Sequence, residues 1–161
     1  MKIVTLLGGN LGDSKALFQE AIHLMKSKGF IIENFSKVYK SIAWGYTSKN
    51  IYLNQVIVFQ SNDSPQHILS TCLSIEKELG RQRVEKEGYS DRPIDIDILY
   101  MDDLSINKEE LTIPHPRLHL RRFTLVPLEE ILPDFIHPIL KKDHKSLLLL
   151  CPDKSKVEAV D

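Results

Sequence analysis

Net charge, cysteine and long apolar stretches are all scarce in this sequence, and each shortage excludes a class of protein. The 21 Lys and Arg residues nearly balance the 22 Asp and Glu residues, so the formal net charge is −1, whereas proteins that bind nucleic acid or anionic lipid usually carry a basic excess. The two cysteines, Cys72 and Cys151, are too few for a disulfide framework and favour a reducing, cytoplasmic location. Apart from the opening residues 1–7, the longest apolar run is Leu147 to Cys151. It is far shorter than the ~20 residues that cross a bilayer. We therefore expect neither a nucleic-acid partner nor a membrane partner.

The length and apolar content of the chain predict one globular unit. A chain of 161 residues corresponds to about one domain. Its 42% hydrophobic content is too high for a disordered chain. Because no repeat, low-complexity block or linker interrupts the sequence, we predict a single domain over residues 1–161, and a monomer.

The order of apolar patterns along the chain predicts an α+β fold. Asp13 and Ser14 can cap an apolar stripe that ends at Gly29, and Pro65 begins a second stripe that ends at Gly80, so both segments are predicted helices. Four strands are predicted over residues 2–7, 31–39, 52–59 and 94–100. This β-α-β-β-α-β order favours a ferredoxin-like sandwich, in which two helices cover one face of a four-stranded sheet. The last third, with a short helix over 123–132, is expected to cap the same domain as a C-terminal extension.

An alternating acidic strand is the sharpest chemical feature of the sequence. It reads Arg92-Pro93-Ile94-Asp95-Ile96-Asp97-Ile98. Because side chains alternate across a strand, Asp95 and Asp97 share one face with Cα atoms about 6.6 Å apart. The isoleucines point the other way, into a core. Two carboxylates at this spacing suit Mg²⁺, which favours one or two carboxylates plus phosphate.

The same alternation is also typical of a half-buried strand whose polar face simply meets water. Two observations favour the metal site. Aspartate is disfavoured in strands, and two aspartates on one face repel each other unless a cation is near. Arg92, just upstream, could meet a phosphate that the metal holds.

Basic residues are dense on both sides of this strand. They are Arg81, Arg83 and Lys86 before it, and His115, Arg117, His119, Arg121 and Arg122 after it. A solvated charged surface explains such groups equally well, and nearby acids partly cancel the first group. The second group contains no acid, and the planar guanidinium of arginine suits phosphate oxygens. A polyphosphate site is therefore one interpretation of this segment.

Two further segments allow a ligand interpretation beside a structural one. Tyr52 and Asn54 face the same way on a predicted strand, where a ring and an amide could hold a flat heterocycle; cross-strand packing would explain them too. The segment Gly8-Gly9-Asn10-Leu11-Gly12 lies between a strand and a helix but lacks the lysine of a phosphate-binding P-loop. A tight turn is its simplest interpretation.

Several motifs taken together resemble the 6-hydroxymethyl-7,8-dihydropterin pyrophosphokinase family of folate biosynthesis. The resemblance covers roughly residues 2–135. Its motifs are Gly8-Gly9-Asn10-Leu11-Gly12-Asp13, Tyr52-Leu53-Asn54, Gly80-Arg81-Gln82-Arg83, Arg92-Pro93-Ile94-Asp95-Ile96-Asp97-Ile98-Leu99, and Pro114-His115-Pro116 with Arg121 and Phe123. The chain departs from the family where members often have Gly-Pro before the arginine, because it carries Ser90-Asp91 there.

The resemblance implies a ferredoxin-like fold and transfer of pyrophosphate from MgATP to a pterin hydroxymethyl group, with AMP as the other product. It implies that Asp95 and Asp97 bind two Mg²⁺ ions and, with Arg83 and Arg92, form the catalytic set. The implied ATP contacts are Arg81, Arg83, Arg92, Ile98, His115 and Arg121. The implied pterin contacts are Ser41, Ile42, Trp44, Tyr52, Asn54 and Phe123, with Tyr52 and Phe123 on the two faces of the ring.

Two other functions fit parts of the pattern. A metal-dependent nuclease or nucleotidyl transferase could use the same aspartate pair, although the near-zero net charge argues against a nucleic-acid substrate. A non-catalytic ferredoxin-like module could bind a small regulatory ligand, although it would not need paired carboxylates among arginines. Binding of ATP that depends on Mg²⁺ separates this module from both enzymes.

Overall fold

The computed structural model describes residues 1–82 and 88–160. Its strands, numbered in chain order, are β1 (Lys2–Gly9), β2 (Ile31–Phe35), β3 (Val38–Ser41), β4 (Tyr52–Gln60), β5 (Asp95–Met101), β6 (Ile106–Asn107), β7 (Thr112–Ile113) and β8 (Glu158–Val160). Its helices are α1 (Ser14–Ser27), α2 (Pro65–Glu78), α3 (Arg122–Ile131) and α4 (His144–Leu150), and a short 3₁₀ turn spans Leu118–Leu120.

Six of these strands form one antiparallel sheet in the order β5-β1-β4-β3-β8, with β2 also paired to β4. The central strand β1 runs between β4 and β5. In this register Gly8 lies beside Asn54 on one side and beside Asp95 on the other. The register therefore brings the Tyr52-Leu53-Asn54 motif and the acidic strand to the same end of the sheet.

Helices α1 and α2 cover one face of the sheet, as the apolar stripes predict. The carboxylate of Asp13 accepts a hydrogen bond from the N–H of Ala16, and the hydroxyl of Ser64 accepts one from the N–H of His67, so each helix begins with a side-chain cap. Phe18 of α1 and Ile75 of α2 are fully buried in the core of this face. The two-helix layer of the predicted ferredoxin-like sandwich is thereby confirmed.

The opposite face of the sheet is covered by α3 and α4, so the sheet lies between two helical layers. Leu125 and Leu128 of α3 and Leu147 of α4 pack with Val4 and Val56 of the sheet. The predicted helix over 123–132 is present over Arg122–Ile131. The candidate site lies on this face, where the C-terminal third of the chain meets the sheet.

Two details of the sheet differ from the four predicted strands. The strand predicted over 31–39 is divided into β2 and β3, because the Ser36 hydroxyl accepts the N–H of Val56 and replaces a regular backbone pairing there. The tail, predicted only to cap the fold, ends in β8, whose Val160 pairs with Val38. Across the described residues, no helix is long and apolar enough to span a membrane.

Two histidines are buried beneath the sheet in neutral form. The ring of His144 donates from Nδ1 to the carbonyl of Leu132 at 2.7 Å, so its Nε2 accepts from the Tyr100 hydroxyl at 3.1 Å. The Nδ1 of His137 accepts the backbone N–H groups of Ile139 and Leu140. Burial lowers the pKa of His137 to about 4 and lowers that of His144 as well.

These histidines should make the folded state acid-sensitive. An unfolded histidine titrates near pH 6.5, so between about pH 6.5 and 4 the unfolded chain binds more protons than the native one. The free energy of unfolding should therefore fall with pH in this window, by up to about 3 kcal/mol from His137 alone. Urea unfolding at pH 7 and pH 5 measures the loss.

A matched pair of variants assigns this effect. His137→Asn retains an acceptor near the Nδ1 position but cannot titrate, so it should reduce the dependence of unfolding free energy on pH and leave the contribution of His144. His23→Gln, at an exposed position of α1, should leave that dependence unchanged. A variant at position 137 with the full wild-type slope would contradict the assignment.

Candidate active site

The two aspartates of β5 lie on the same face of the sheet, as the alternation predicts. Asp95 is buried and Asp97 is half-buried, whereas Ile96 and Ile98 are buried in the core on the opposite face. The carboxylate of Asp95 lies close above Gly8, where an added Cβ would come within 2.6 Å of its Oδ1. Gly8 has no side chain at this point of β1, and the side chains of Asp95 and Asn54 occupy the space.

Arginines surround the buried carboxylate. The Nε of Arg92 donates a hydrogen bond to Oδ2 of Asp95, and the Nη1 of Arg81 lies 3.8 Å from the same oxygen. Burial, and then the adjacent charge of Asp97, raise the pKa of Asp95, while the two guanidinium groups oppose the rise. A metal cation bound to both Asp95 and Asp97 would reduce the repulsion between their carboxylates.

Arg121 reaches the second carboxylate across the pocket. Its Nη1 lies 3.4 Å from Oδ2 of Asp97, and its Nη2 donates to the Tyr89 hydroxyl at 3.0 Å. The guanidinium also packs against aromatic rings, at 4.8 Å from the Trp44 centroid and 5.7 Å from that of Phe123. Its buried Nε has no hydrogen-bond partner among the described residues, which leaves a donor for an anionic ligand.

Trp44, Tyr52 and Phe123 form an aromatic wall of the same pocket. Tyr52 is buried at the start of β4, and the Nη1 of Arg92 donates to its hydroxyl at 3.1 Å. Asn54, two residues later on the same face, is buried and donates from Nδ2 to the Ser41 hydroxyl at 3.3 Å. The carbonyl oxygen of Asn54 remains available as an acceptor beside the Tyr52 ring. A planar ligand with N–H groups at its edge would match this arrangement.

Most of the residues predicted for the site line one pocket. They are Ser41, Ile42, Trp44, Tyr52, Asn54, Arg92, Asp95, Asp97, Arg121 and Phe123. The groups predicted to bind phosphate and those predicted to bind the ring are far apart in the sequence but are therefore neighbours in the fold.

The other predicted residues lie elsewhere. Arg81 is held between the buried Glu76 and Asp95, behind the lining. Ile98 has its side chain in the core. His115 follows the cis Ile113–Pro114 bond, and its backbone N–H donates to the Leu99 carbonyl beside β5. Arg83 lies outside the described residues. The roles expected of these four residues in ATP binding stay predictions.

Two aromatic pocket residues and a carboxylate next to them were missed in the sequence. Tyr46 and Tyr89 line the pocket, and Asp91 accepts a hydrogen bond from the Tyr46 hydroxyl at 2.8 Å. All three lie in loops, so neither strand alternation nor helical spacing pointed to them. The substitution of Gly-Pro by Ser90-Asp91 was the one visible hint.

Comparison with known proteins agrees with this geometry. A family model described as 7,8-dihydro-6-hydroxymethylpterin-pyrophosphokinase (HPPK) matches residues 4–133. The 2-amino-4-hydroxy-6-hydroxymethyldihydropteridine pyrophosphokinase of Porphyromonas gingivalis is 38% identical over 141 residues, which cover 86% of this chain and 95% of that protein. The enzyme of the same name from Aquifex aeolicus is 41% identical over 140 residues, covering 86% of this chain and 85% of that protein.

A solved structure has the same fold. The wild-type HPPK-DHPS of Plasmodium falciparum, crystallised with pteroate, superposes with a TM-score of 0.73 at 15% sequence identity over 92% of this chain. The chain spans only 44% of that protein's length, and the similarity concerns the fold alone. The family model and the relatives with 38% and 41% identity go further. The chain therefore belongs to the HPPK family, the diphosphokinases that transfer pyrophosphate from ATP to hydroxymethyldihydropterin in folate synthesis.

Proposed function

We propose that this chain carries out the family's reaction in the pocket beneath α3, with Asp95 and Asp97 as ligands of two Mg²⁺ ions. The observation that carries the proposal is the meeting of the acidic pair, two arginines and an aromatic wall in one pocket. Phosphoryl transfer needs positioned and charge-stabilised reactants rather than a protein nucleophile. In this pocket, aromatic side chains that could position a ring lie beside charged side chains that could stabilise phosphates.

The donor set fits magnesium. Mg²⁺ is usually bound through one or two carboxylates together with substrate phosphates and waters, and the described residues contain no larger cluster of His, Cys, Asp and Glu that could hold a metal alone. Burial, and then the charge of Asp97, raise the pKa of Asp95, and a bound cation would favour the ionised form of this carboxyl. When bound with the nucleotide, magnesium supplies charge stabilisation to the polyphosphate and lowers the pKa of the attacking alcohol.

The phosphate side of the site is provided by arginines and a neutral histidine. Arg92 and Arg121 both line the pocket, and the unpaired Nε of Arg121 supports a phosphate contact there. Burial, with Arg121 and Arg117 nearby, lowers the pKa of His115 to about 4. Because its Nδ1 accepts the N–H of Arg117, Nε2 carries the proton and can donate to a phosphate oxygen without adding charge. We assign Arg81, Arg83 and the backbone of Ile98 to the same nucleotide.

The pterin side is assigned to the aromatic wall. Tyr52 and Phe123 would hold the two faces of the bicyclic ring, and Asn54 would bind its edge. The loop residues Ser41, Ile42 and Trp44 would close the same slot. In this orientation the hydroxymethyl group would face the carboxylates of Asp95 and Asp97. Burial raises the pKa of Tyr52, so this residue binds as a neutral phenol rather than acting as a base.

The broader predictions are proposed with the activity. We propose that residues 1–161 act as one domain and as a cytoplasmic monomer with small-molecule substrates only. The balanced charge of −1 and the two cysteines support these assignments.

Analysis of the reaction products tests the proposed function. The protein is incubated with MgATP and 6-hydroxymethyl-7,8-dihydropterin, and both products are identified by mass spectrometry. AMP together with a pterin diphosphate is the expected result. ADP with a pterin monophosphate, or no pterin product, would contradict the proposal. A parallel incubation with excess chelator should give no product.

Removal of the Phe123 ring from the aromatic wall should weaken pterin binding. Phe123→Ala is expected to cost roughly 1–3 kcal/mol of pterin binding free energy, by analogy with the stacking of bases on aromatic side chains. Calorimetric titration in the presence of a non-hydrolysable ATP analogue measures the change. Phe35→Ala is the matched control, because Phe35 is 56% exposed on β2. Unchanged pterin affinity in Phe123→Ala would remove this ring from the slot.

A further inference from the structure

Asp91 joins three segments around the pocket. Its Oδ1 accepts hydrogen bonds from the Nδ2 of Asn10 at 2.9 Å and from the Tyr46 hydroxyl at 2.8 Å. Its Oδ2 accepts from the Nδ2 of Asn50 at 2.8 Å. The turn after β1, the loop before β4 and the segment before β5 therefore meet at one carboxylate. The next residue in the chain is Arg92, which pairs with Asp95.

A chain of hydrogen bonds leads from the Asp91 carboxylate to Tyr52 of the aromatic wall. The Tyr46 and Tyr52 hydroxyls are 2.5 Å apart, and Tyr52 also receives a hydrogen bond from the Nη1 of Arg92 at 3.1 Å. The rings of Tyr46 and Tyr52 meet edge to face, with centroids 6.4 Å apart. Tyr46 thus links Asp91 to the ring that is proposed to hold the pterin.

The proton positions in this chain are set by its two ends. Hydrogen bonds from Ser48 and then from Asn10, Tyr46 and Asn50 hold the pKa of the Asp91 carboxyl well below its usual range, so at neutral pH the carboxylate only accepts. The Tyr46 hydroxyl then donates to Asp91 and accepts from the Tyr52 hydroxyl, because the other acceptor near Tyr52, the Ser90 carbonyl, is farther away at 3.3 Å. The Tyr52 oxygen accepts from Arg92.

This order has an energetic consequence. The chain starts on a guanidinium cation and ends on a carboxylate, and both terminal bonds are charge-assisted. Hydrogen bonds aligned in one direction also polarise one another. The hydroxyl of Tyr52 is consequently held from both sides, which fixes its ring.

We propose that Asp91 is a positioning residue of the pterin site, which fixes the Tyr52 ring through Tyr46. The inference rests on the proposed function, because it concerns how that site is ordered. Arg92 keeps its bonds to Asp95 and to the Ser90 carbonyl when Asp91 is lost. Loss of Asp91 should therefore affect the pterin side of the pocket more than the nucleotide side.

Two variants interrupt this chain of hydrogen bonds. Asp91→Ala removes its anionic end, and Tyr46→Phe removes the connecting hydroxyl while keeping the ring. Each should raise the pterin KM and the pterin Kd about tenfold, the scale of one lost charge-assisted hydrogen bond, with the ATP KM within about threefold of wild type. The double variant should bind the pterin no more weakly than the weaker-binding single variant, because both changes break the same chain of hydrogen bonds.

A donor–acceptor exchange provides a rescue. Asp91→Asn can turn its amide nitrogen toward the Nδ2 of Asn50, so that two donors face each other. Adding Asn50→Asp restores one donor and one acceptor and should recover most of the pterin affinity lost in Asp91→Asn. Asp143→Ala is the remote control: Asp143 caps α4 by accepting from the Ser146 N–H, and alanine removes this cap. Its loss should lower the melting temperature and leave the pterin KM unchanged.

The outcomes separate the positioning role from the proposed function. An active wild type whose Asp91→Ala variant loses only thermal stability, or raises both KM values equally, would overturn the positioning role and leave the proposed function intact. Failure of the exchange to recover pterin affinity would also count against it. A wild-type protein that makes no pterin diphosphate would overturn the proposed function and this inference with it.

Discussion

Asp97→Ala should lower turnover at least ~10²-fold, the scale expected for deletion of an electrostatic stabiliser, while the protein stays folded. Asp97 is proposed to bind Mg²⁺, and its Oδ2 also holds the Arg121 guanidinium at 3.4 Å. Its side chain is 34% exposed and does not contribute to either hydrophobic core, so its loss creates no buried cavity. Steady-state kinetics with MgATP and the dihydropterin, together with circular dichroism, measure both parts of the expectation.

Asp103→Ala is the matched control for this variant. Asp103 is exposed just beyond the C-terminal end of β5, so its loss removes an equal charge at the other end of the strand, away from the pocket. Its turnover should remain at the wild-type level. Near-normal turnover in Asp97→Ala would exclude Asp97 as an essential metal ligand.

Gly8→Ala should reduce turnover to a similar extent through a steric effect. The added Cβ would lie 2.6 Å from Oδ1 of Asp95 and 3.2 Å from Oδ1 of Asn54, closer than non-bonded atoms tolerate. The Asp95 carboxylate must therefore move out of position. We expect a loss of at least ~10²-fold in turnover and about 1–3 kcal/mol of stability, the usual cost of overpacking.

A control for Gly8→Ala must lose stability without moving the carboxylates. Ile3→Val serves this purpose, because Ile3 lies on the same strand, fully buried in the core of the helical face formed by α1 and α2. It should cost about 1 kcal/mol and leave turnover of the folded protein unchanged. If Gly8→Ala turned over like wild type, the position of the Asp95 carboxylate would not matter to the reaction.

The sequence was informative where a periodic pattern determines the structure. Alternation placed Asp95 and Asp97 together and put Ile96 in the core, because a strand has only two faces. The stripes of α1 and α2 are long enough to be distinguished from strands. The pairing of β4 and β5 with β1 then placed Asn54 and Asp95 on either side of Gly8, which the sequence alone implied only through its family resemblance.

Other parts of the site depend on contacts between loops, which no spacing rule predicts. Tyr46, Tyr89 and Asp91 come together because the segments 42–51 and 88–92 fold against each other, and each is polar and aperiodic. The break in the second strand depends on one hydroxyl, that of Ser36, which bonds across to Val56. Such a single side-chain contact has no signature in composition or periodicity.

The central claim is that Asp95 and Asp97 anchor divalent cations against the phosphates of the nucleotide. A crystal structure with Mg²⁺, a non-hydrolysable ATP analogue and the dihydropterin tests this claim most directly. We predict metal density in contact with both carboxylates and with the polyphosphate, and the pterin between Tyr52 and Phe123. Carboxylates turned apart, or magnesium and nucleotide held at other residues while this pocket stays empty, would contradict the account.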